Sequence, residues 1–451
     1  MALTGLEIFK KLPKTNCKDC GFPTCLAFAM KLAAGEMSLD ACPHVTEAVK
    51  AELAEASAPP IRLVKVGAGE NAFGVGEEQV LFRHEKRFVN ETALGLLFDD
   101  SSGEQEISRK IEQLKGARFE RVGKIIKANF AALRNGSRDV ARFRALAEKL
   151  DFETGLPLVL ISDDVNALSA VLESMSTKKP LIYCATSENI EGMAGLAAKY
   201  SCPLAIRSGD LANLSELTEK AKLLGVNDIV LDPAPENLKD VLKKMVFLRR
   251  SALEKKFRPL GYPTIAFTGD FAKDPQKEAG VAAIMLCKYA SIVVLDSMEA
   301  WKIFPLLILR QNIFTDPQVP MQVEQKIYPI GDPTEKSPVL ITTNFSLTYF
   351  IVSGEIEASR VPTWLLVMNV EGQSVLTSWA AGKFIPDKIA AFIKKSGISD
   401  RVAQKKIIIP GYVAQISGEL EEELGEDWKV LVGCREAGDI PRFLQDYAAT
   451  N

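Results

Sequence analysis

Histidine is scarce in this chain: the 451 residues include two, His44 and His84. Imidazole is the side chain that most often binds metals or transfers protons near neutral pH. No imidazole can therefore come from this chain beyond residue 84, and any cofactor site in the later residues must be built from other side chains.

Long apolar runs and an excess of basic charge are also missing. No apolar stretch reaches the roughly 18–20 residues that span a bilayer, and nothing near the start resembles a secretion signal. The net charge is −3, and the Lys and Arg residues are scattered, which does not indicate a nucleic-acid surface. We expect a cytoplasmic protein with no membrane and no nucleic-acid partner.

Four of the eight cysteines lie in the first 42 residues. Cys17, Cys20, Cys25 and Cys42 are spaced C-x2-C-x4-C-x16-C, and Pro43 follows the last. Stable disulfides are rare in a reducing cytosol, so a shared metal is the better interpretation. Four thiolates suit a [4Fe–4S] cluster or a structural zinc ion. A single C-x2-C pair and the Cys-Pro ending favour the cluster, with zinc as the alternative.

The remaining cysteines are isolated in the sequence. We predict buried structural thiols at Cys184, Cys202, Cys287 and Cys434. His44 lies close to the last of the clustered cysteines, and we predict a surface or packing role for it rather than metal ligation.

Composition and periodicity divide the chain into residues 1–58, 59–325 and 326–451. The first segment is too small for a core of its own, so the metal should be part of its fold. Leu6, Phe9 and Leu12 predict one helix, and a second should begin near Cys25, capped by Thr24 and closed by Gly35. Residues 56–60 are predicted to be a linker.

The second segment alternates short apolar strands with helical stretches. Such units fit a TIM (β/α)8 barrel or an open doubly wound sheet, and the absence of G-x-G-x-x-G favours the barrel. An eighth strand should lie between residues 117 and 128. Polar residues after the strands, such as Asp99-Asp100, Asp210 and Asp232, are predicted helix caps. The visible strands are Leu94–Phe98, Leu158–Ile161, Leu181–Cys184, Leu204–Ile206, Ile229–Leu231, Thr264–Phe267 and Ile292–Leu295.

The third segment repeats the pattern on a smaller scale. Its predicted strands are Val339–Thr342, Trp364–Met368, Ile407–Ile409 and Val430–Val432, each followed by a helix. This order predicts a flavodoxin-like domain, in which ligands bind at the carboxyl ends of the strands. Ser346 and Ser374 are predicted helix caps, Pro386 should open a helix, and Gly397 should close it.

The cysteine motif, with Gly21-Phe22-Pro23-Thr24 and Leu26-Ala27-Phe28-Ala29 around it, resembles the [4Fe–4S] domain of corrinoid/iron–sulfur proteins. The three-part order of cluster domain, barrel and small α/β domain resembles the large (gamma) subunit of that family, which belongs to the anaerobic acetyl-CoA (Wood–Ljungdahl) pathway. The resemblance extends over essentially the whole chain.

The resemblance implies a methyl carrier rather than an enzyme. In this family the Co(I) form of a cobamide takes a methyl group from methyltetrahydrofolate on a methyltransferase, and methyl–Co(III) gives it to acetyl-CoA synthase. The cluster reduces inactive Co(II), with a reductive activator or ferredoxin as electron source. The family works as a heterodimer with a small barrel subunit. The alternatives are an iron–sulfur electron-transfer subunit without corrinoid, or a barrel methyltransferase with a structural metal.

The resemblance also implies where the corrinoid binds. Many cobalamin domains use D-x-H-x-x-G to supply a lower ligand, and the lack of histidine here agrees with a family that binds its corrinoid base-off without one. The residues expected to bind the amide side chains of the corrinoid or to contact its nucleotide tail lie on the loops at the carboxyl edge of the third segment. Glycines on the same loops would let the backbone approach the ring or tail closely. The predicted contacts are Thr343, Asn344, Ser346, Gly372, Gln373, Ser374, Val375, Gly411, Tyr412, Cys434, Arg435 and Glu436. Cys17, Cys20, Cys25 and Cys42 are the predicted cluster ligands.

Overall fold

A computed structural model describes residues 5–33, 37–46, 49–50, 53, 59–121 and 124–450. The predicted cap at Gly35 and most of the predicted linker at 56–60 lie outside this part of the chain. The first helices are α1 (Gly5–Lys11) and α2 (Cys25–Ala33), followed by a single 3₁₀ turn, Leu39–Ala41.

The N-terminal helices pack around a small core that includes two of the clustered cysteines. Ile8 and Leu12 of the first helical region and Phe28 of α2 are buried with Cys25 and Cys42. The predicted apolar face is wrong at Leu6, which is 62% exposed. The core side of α1 is centred on Ile8 instead, because Ile8 and Leu12 are four residues apart and share one helical face. Thr24 caps α2 as predicted, since its Oγ1 accepts from Ala27 N at 3.1 Å.

A hairpin of β1 (Val64–Val66) and β2 (Phe73–Val75) closes the amino-terminal end of the next unit. Val64, Val66 and Val75 are fully buried in one cluster with residues from the barrel strands. Gly67 N donates to Lys179 O just before a barrel strand at 2.9 Å, which fixes the hairpin at that end.

Eight parallel strands form the predicted barrel. Their order around the barrel is β10-β9-β8-β7-β6-β3-β12-β11, and a parallel bridge between Leu231 and Thr264 closes the circle. The strands are β3 (Ala93–Asp99), β6 (Phe130–Arg134), β7 (Leu158–Ile161), β8 (Leu181–Ala185), β9 (Leu204–Arg207), β10 (Ile229–Asp232), β11 (Ile265–Phe267) and β12 (Ile292–Leu295).

Seven of these strands are confirmed, and the position predicted for the eighth is wrong. Residues between 117 and 128 form an antiparallel hairpin, β4 (Arg118–Arg121) and β5 (Lys124–Lys127), outside the barrel. The missing strand is β6, immediately afterwards, which pairs with β3 and β7.

Helices surround the barrel, one after each of its eight strands. Asp139, Asp164, Asp210, Asn237 and Asp274 cap five of them with their side chains, as expected for short acceptors at helix starts. The helices are α3 (Glu104–Gly116), α4 (Val140–Thr154), α5 (Val165–Met175), α6 (Ile190–Tyr200), α7 (Leu211–Leu223), α8 (Leu238–Leu253), α9 (Pro275–Cys287) and α10 (Ala300–Phe314).

The last part of the chain forms a five-stranded sheet in the order β13-β15-β14-β16-β17. The four predicted strands are parallel, and their order of second, first, third and fourth is that of a flavodoxin-like sheet. The strands are β13 (Lys326–Ile330), β14 (Val339–Thr343), β15 (Thr363–Met368), β16 (Lys406–Ile409) and β17 (Lys429–Val432).

The edge strand β13, which runs antiparallel to β15, was not predicted from the sequence. Five helices cover this sheet. The predicted helix start at Pro386 and end at Gly397 are confirmed, and Gly397 has a positive φ of 74°. The helices are α11 (Ser346–Ser359), α12 (Val375–Ala380), α13 (Pro386–Ser396), α14 (Ser417–Leu424) and α15 (Ile440–Thr450).

Candidate functional site

The four clustered cysteines come from three short pieces of chain. Cys17 and Cys20 lie on the loop between α1 and α2, Cys25 is the first residue of α2, and Cys42 directly follows the 3₁₀ turn. Cys25 and Cys42 are buried, Cys20 is half-buried and Cys17 is exposed. The group therefore runs from a small apolar core to the surface, where electrons could enter or leave.

Asn16 fixes the position of Cys25 through two contacts. Its Oδ1 accepts a hydrogen bond from Cys25 N at 2.8 Å, and its own backbone N–H donates to Cys25 Sγ at 3.4 Å. Asn16 has φ 51°, and Lys18, two residues later, has φ 72°, so the loop turns tightly on both sides of Cys17. Backbone donors near a ligand sulfur are one means of adjusting the potential of an iron–sulfur cluster.

The separation of the sulfur atoms bears on the choice between iron and zinc. A zinc ion with four thiolates at about 2.3 Å would bring their sulfurs to roughly 3.8 Å from one another. Among the described residues, no three of the four Sγ atoms lie within 4.8 Å of one another. A four-iron cube holds its thiolates farther apart, because each sulfur binds a different iron. Four thiolates are the ligand set of a [4Fe–4S] cluster, and in the described residues they do not already surround a single ion.

His44 and Asp19 flank the exposed edge of this site. His44 Nε2 lies 2.5 Å from Asp19 Oδ2, and the two side chains are 46% and 52% exposed. Hydrogen bonds from His44 and then from Cys17 lower the pKa of Asp19 from its usual value. The predicted surface location of His44 is confirmed.

A second candidate site is a cavity of about 280 Å³ at the carboxyl edge of the C-terminal sheet. It lies at the ends of the adjacent strands β14 and β16, where the order of the strands along the sheet reverses. Sheets of this type bind ligands at that point. Half of the twelve residues predicted for this edge line it: Ser374, Val375, Tyr412, Cys434, Arg435 and Glu436. The sequence interpretation did not include Thr342, Thr348, Pro410 or Phe443, which also line it.

Four unpartnered polar atoms lie on β14 and on the loops at this edge of the sheet, and one of them, Thr342 Oγ1, belongs to a residue that lines the cavity. Thr342 Oγ1, Thr343 Oγ1, Ser346 Oγ and Gln373 Oε1 are buried and have no hydrogen-bond partner. Leaving a buried polar group unpaired costs about 1–3 kcal/mol, so a polar ligand or water that pairs with these atoms would stabilise this edge of the sheet. The predicted cap role of Ser346 is wrong, because Phe345 occupies the cap position of α11.

The side-chain amide of Asn344 forms its hydrogen bonds within the protein. Its Oδ1 accepts from Val370 N at 2.9 Å and Gly372 N at 3.0 Å, and its Nδ2 donates to Gln322 and Asn369. It lines a different cavity, of about 560 Å³, beside residues 315–325. Asn344 therefore joins the loops after β14 and β15.

The two glycines of the predicted set lie too close to neighbouring atoms for a larger residue to fit without a shift. A Cβ on Gly411 would lie 2.6 Å from Gly433 O, and one on Gly372 would lie 2.7 Å from Gln322 Cγ. Gly372 also has φ 70°, where other residues are strained. Both positions are explained by packing within the protein, and contact with a ligand stays a prediction.

Residues at the mouth of the cavity are linked across the sheet. The Tyr412 hydroxyl donates to Glu436 Oε1, which joins the loops after β16 and β17. This hydrogen bond raises the pKa of Tyr412, and burial raises the pKa of the Cys434 thiol. Ser374 caps α12 as predicted, with Oγ accepting from Thr377 N at 3.4 Å.

Apolar side chains lie exposed near the mouth. Leu347, Phe350 and Ile351 of α11 are between 44% and 58% exposed, and Leu376 and Trp379 of α12 are 44% and 37% exposed. An exposed group of large apolar residues of this kind usually marks a binding surface.

The polar residues at the carboxyl end of the barrel have several roles. Asp210 caps α7, accepting from Ala212 N at 2.9 Å, as predicted. The cap prediction is wrong for Asp232, which is buried and accepts from Tyr183 Oη at 2.5 Å. It is also wrong for Asp100, which holds the loop after β6 by accepting from Ser137 N and Oγ.

The isolated cysteines follow the prediction in part. Cys202 is buried, Cys184 and Cys434 are half-buried, and Cys287 is exposed. The prediction for Cys287 is wrong, because this last residue of α9 is exposed.

Comparison with known proteins gives two family models and several full-length relatives. The family "CO dehydrogenase/acetyl-CoA synthase delta subunit" matches residues 63–444, and the family "Putative Fe-S cluster" matches residues 12–44. The chain is 46% identical over 445 residues to the corrinoid/iron–sulfur protein large subunit of Moorella thermoacetica, covering 99% of both chains.

Archaeal relatives give the same full-length match. The acetyl-CoA decarbonylase/synthase complex subunit gamma of Methanothermobacter thermautotrophicus is 38% identical over 460 residues, covering all of both chains. That of Archaeoglobus fulgidus is 35% identical, covering 98% of this chain and 97% of its own. In the described residues, no helix combines the length and apolar character needed to cross a membrane.

Proposed function

Because the chain belongs to the family of the corrinoid/iron–sulfur protein large subunit and the acetyl-CoA decarbonylase/synthase complex subunit gamma, we propose that it is a methyl carrier. It binds a corrinoid and an iron–sulfur cluster. The corrinoid supplies, when bound, a cobalt ion that takes a methyl group from methyltetrahydrofolate on a separate methyltransferase and passes it to acetyl-CoA synthase. The chain itself is a carrier subunit and catalyses neither transfer.

The observation that supports this proposal most strongly is the cavity at the carboxyl edge of the C-terminal sheet together with the unpaired hydroxyl of Thr342, which lines it. Corrinoids carry many peripheral amides, which both donate and accept hydrogen bonds. The hydroxyl of Thr342 is the group in the cavity that such an amide would satisfy, and Ser346 Oγ and Gln373 Oε1 are further unpaired acceptors after β14 and β15. A corrinoid is larger than 280 Å³, so the cavity can hold a part of it.

The residues that would contact the corrinoid are on the loops after the four parallel strands. Thr342 joins the set because it lines the cavity and its hydroxyl is unpaired. Asn344, Gly372 and Gly411 shape the loops, through the amide network and the close backbone approaches described above. Ser374, Val375, Tyr412, Cys434, Arg435 and Glu436 surround the mouth.

The chain offers no imidazole beyond residue 84, so the proposed site holds the corrinoid without a histidine ligand. A nitrogen donor below the metal would favour its higher oxidation states. A site without that donor leaves the metal easier to reduce, as a carrier that must repeatedly reach its lowest oxidation state requires.

We assign Cys17, Cys20, Cys25 and Cys42 to a [4Fe–4S] cluster that supplies the electron for reactivation after accidental oxidation. Asn16 supports this assignment, because it fixes Cys25 and turns a backbone N–H toward that sulfur. The exposed position of Cys17 leaves an edge through which a reductive activator or ferredoxin could deliver electrons.

The proposal includes three domains, 1–58, 59–325 and 326–451, and a small barrel subunit as partner. Hydrogen bonds from Val323 N to Asn344 O and from Ser346 N to Met321 O favour moving the last boundary a few residues earlier. The exposed apolar residues of α11 and α12 are candidates for the partner surface. We place the protein in the cytoplasm, because thiolates that bind a cluster need reducing conditions.

The two alternative functions leave some of these features unexplained. An electron-transfer subunit without corrinoid would leave the cavity and its unpaired hydroxyl unexplained. A barrel methyltransferase with a structural metal would place the site at the carboxyl end of the barrel and leave the C-terminal sheet without a role.

A methyl-labelling experiment tests the proposal. The chain is purified without oxygen beside its small companion, reduced, and mixed with methyltransferase and methyl-labelled methyltetrahydrofolate. We expect one label per bound cobalt and its release on addition of acetyl-CoA synthase. A chain that stays unlabelled although its cobalt is fully reduced would contradict the proposal.

A further inference from the structure

Three potential metal-binding atoms converge at the exposed edge of the cysteine-rich segment. The Cys17 Sγ, a carboxylate oxygen of Asp19 and a ring nitrogen of His44 lie within 4.8 Å of one another. His44 Nε2 lies 2.5 Å from Asp19 Oδ2, and Cys17 forms a side-chain hydrogen bond with the same carboxylate. Asp19 thus lies at the centre of the group, between a thiol and an imidazole.

These three side chains match the ligands that zinc and ferrous iron accept. Thiolate, imidazole and carboxylate bind zinc at about 2.0–2.3 Å, so ligand atoms around one tetrahedral ion are roughly 3.3–3.8 Å apart. Asp19 Oδ2 and His44 Nε2 are now in hydrogen-bond contact at 2.5 Å, so an ion that replaces this hydrogen bond would move the two atoms apart by about 1 Å. Asp19 and His44 are about half exposed, which leaves a fourth position open to water.

The four cysteines are less well arranged for a single ion. Within the described part of the chain, the Cys17, Asp19 and His44 group is the one place where three such ligand atoms meet within 4.8 Å. Cys25 and Cys42 lie deeper, in the apolar core of the segment. A single ion arriving from solvent would therefore meet the Cys17 group first.

We propose that, before its cluster is built, the chain binds one divalent cation of the Zn²⁺ or Fe²⁺ type through Cys17, Asp19 and His44. Cys17 is also a cluster ligand in the proposed function, so the mononuclear site and the complete cluster exclude each other. Zinc bound here blocks cluster assembly, and ferrous iron bound here occupies one of the positions from which the cluster is built.

The test uses the full-length chain, freed anaerobically of iron and corrinoid, with Zn²⁺ alone as probe. Competition against a chromophoric chelator gives stoichiometry and affinity for the wild type, His44→Ala and Asp19→Asn. His84→Ala is the matched control, because it removes the other histidine of the chain, which stacks on Phe82 far along the sequence. We expect one Zn²⁺ per wild-type chain and at least about a tenfold loss of affinity in His44→Ala.

A second readout identifies the ligand directly. The same chains are loaded with Co²⁺ alone and examined by pulsed EPR for coupling to an imidazole nitrogen. The coupling should be present in the wild type and in His84→Ala and absent in His44→Ala. Equal zinc affinity in wild type and His44→Ala, or no imidazole coupling in the wild type, would overturn the proposal.

Cluster reconstitution separates this proposal from the cluster assignment. Iron and sulfide per chain after reconstitution should be the same in His44→Ala and wild type, which also shows that the variant folds. Preloading with Zn²⁺ should slow reconstitution of the wild type and have a much smaller effect on His44→Ala. If no chain takes up iron and sulfide, the cluster assignment is wrong. The zinc affinities and the imidazole coupling then still test the zinc site independently.

Discussion

The amide of Gly411 donates a hydrogen bond to the carbonyl oxygen of Cys434 at 2.9 Å, which joins the loops that follow β16 and β17. The two backbones approach so closely that a Cβ at position 411 would lie 2.6 Å from Gly433 O and 2.8 Å from Cys434 C. The two loops that line the mouth of the cavity are thus joined at a position where only glycine fits without displacing the backbone.

Gly411→Ala should therefore reduce corrinoid binding. The added methyl group must displace the Gly433–Cys434 backbone, and overpacking of this kind costs about 1–3 kcal/mol. Cobalt per chain after gel filtration, measured beside the small companion, should decrease, and the urea midpoint should decrease as well. Gly418→Ala is the control, because a Cβ there meets nothing within 4 Å and a helix favours alanine. Full cobalt retention by Gly411→Ala would show that this loop does not shape the site.

Thr342→Val tests whether the unpaired hydroxyls serve the ligand. The substitution removes a buried group that has no partner in the protein, so the corrinoid-free chain should become more stable, by about 1 kcal/mol. Corrinoid affinity should decrease at the same time, because an amide of the ligand loses its partner. Opposite signs for stability and binding are the expected result.

Thr363→Val is the matched control for that experiment. Thr363 is buried in the same sheet, and its Oγ1 donates to Val361 O at 2.8 Å. Its replacement should lower stability by about 1 kcal/mol and leave corrinoid binding unchanged. If Thr342→Val also lowers stability and leaves binding intact, the hydroxyl does not face a ligand.

Cys20→Ala should separate methyl transfer from reactivation. Loss of one cluster ligand should disrupt or convert the cluster, so chemical reduction through ferredoxin should no longer restore oxidised cobalt. Methyl transfer from protein that is already reduced should continue at the wild-type rate. Cys287→Ala, at an isolated exposed cysteine, should change neither rate. If Cys20→Ala loses transfer from the reduced state while corrinoid stays bound, the repair role of the cluster is wrong.

Asp232 should give the barrel a pH-dependent stability. Burial raises its pKa above the usual 3.8, although Arg207 and the Tyr183 hydroxyl oppose the shift. A carboxyl group whose pKa is higher in the folded than in the unfolded chain contributes most to stability at pH values below its pKa in the unfolded chain. That contribution is lost as the pH rises through the folded value. The urea midpoint of the wild type, relative to Asp232→Asn, should therefore decrease as the pH rises from about 4.

The corresponding control is Asp163→Asn, at an exposed carboxylate after β7 that pairs with Arg138 at 3.6 Å. This variant removes a carboxylate that is exposed rather than buried, so it separates the effect of burial from the loss of a charge. Parallel curves for wild type and Asp232→Asn would show that burial does not dominate at Asp232.

The sequence predicts the barrel strands well because parallel strands buried on both faces are short apolar runs. The exception is β6, whose residues Phe130–Arg134 include Ala-Ala-Leu-Arg, a sequence of good helix formers. Its conformation is set by pairing with Leu96 in β3 and Leu158 in β7, a tertiary effect that local pattern does not contain. The edge strand β13 was missed because Pro329 interrupts it, and proline is tolerated in sheets at edges.

The candidate sites could likewise be predicted from the sequence only in part. Cysteine spacing alone predicts the metal ligands, because four thiolates within 26 residues have few other uses. The cavity residues are harder to predict, since Thr342 lines the cavity and the predicted Thr343 does not. Neighbouring residues of a strand face opposite sides of the sheet, and a strand that is apolar on both sides does not reveal which side is which.

The most direct test of the account is the metal content and visible spectrum of the full-length chain, purified without oxygen beside its small companion. We predict one cobalt and four iron atoms per chain, with corrinoid bands superimposed on the broad absorption of an iron–sulfur cluster. Stoichiometric zinc in place of iron, or iron without cobalt, would contradict it.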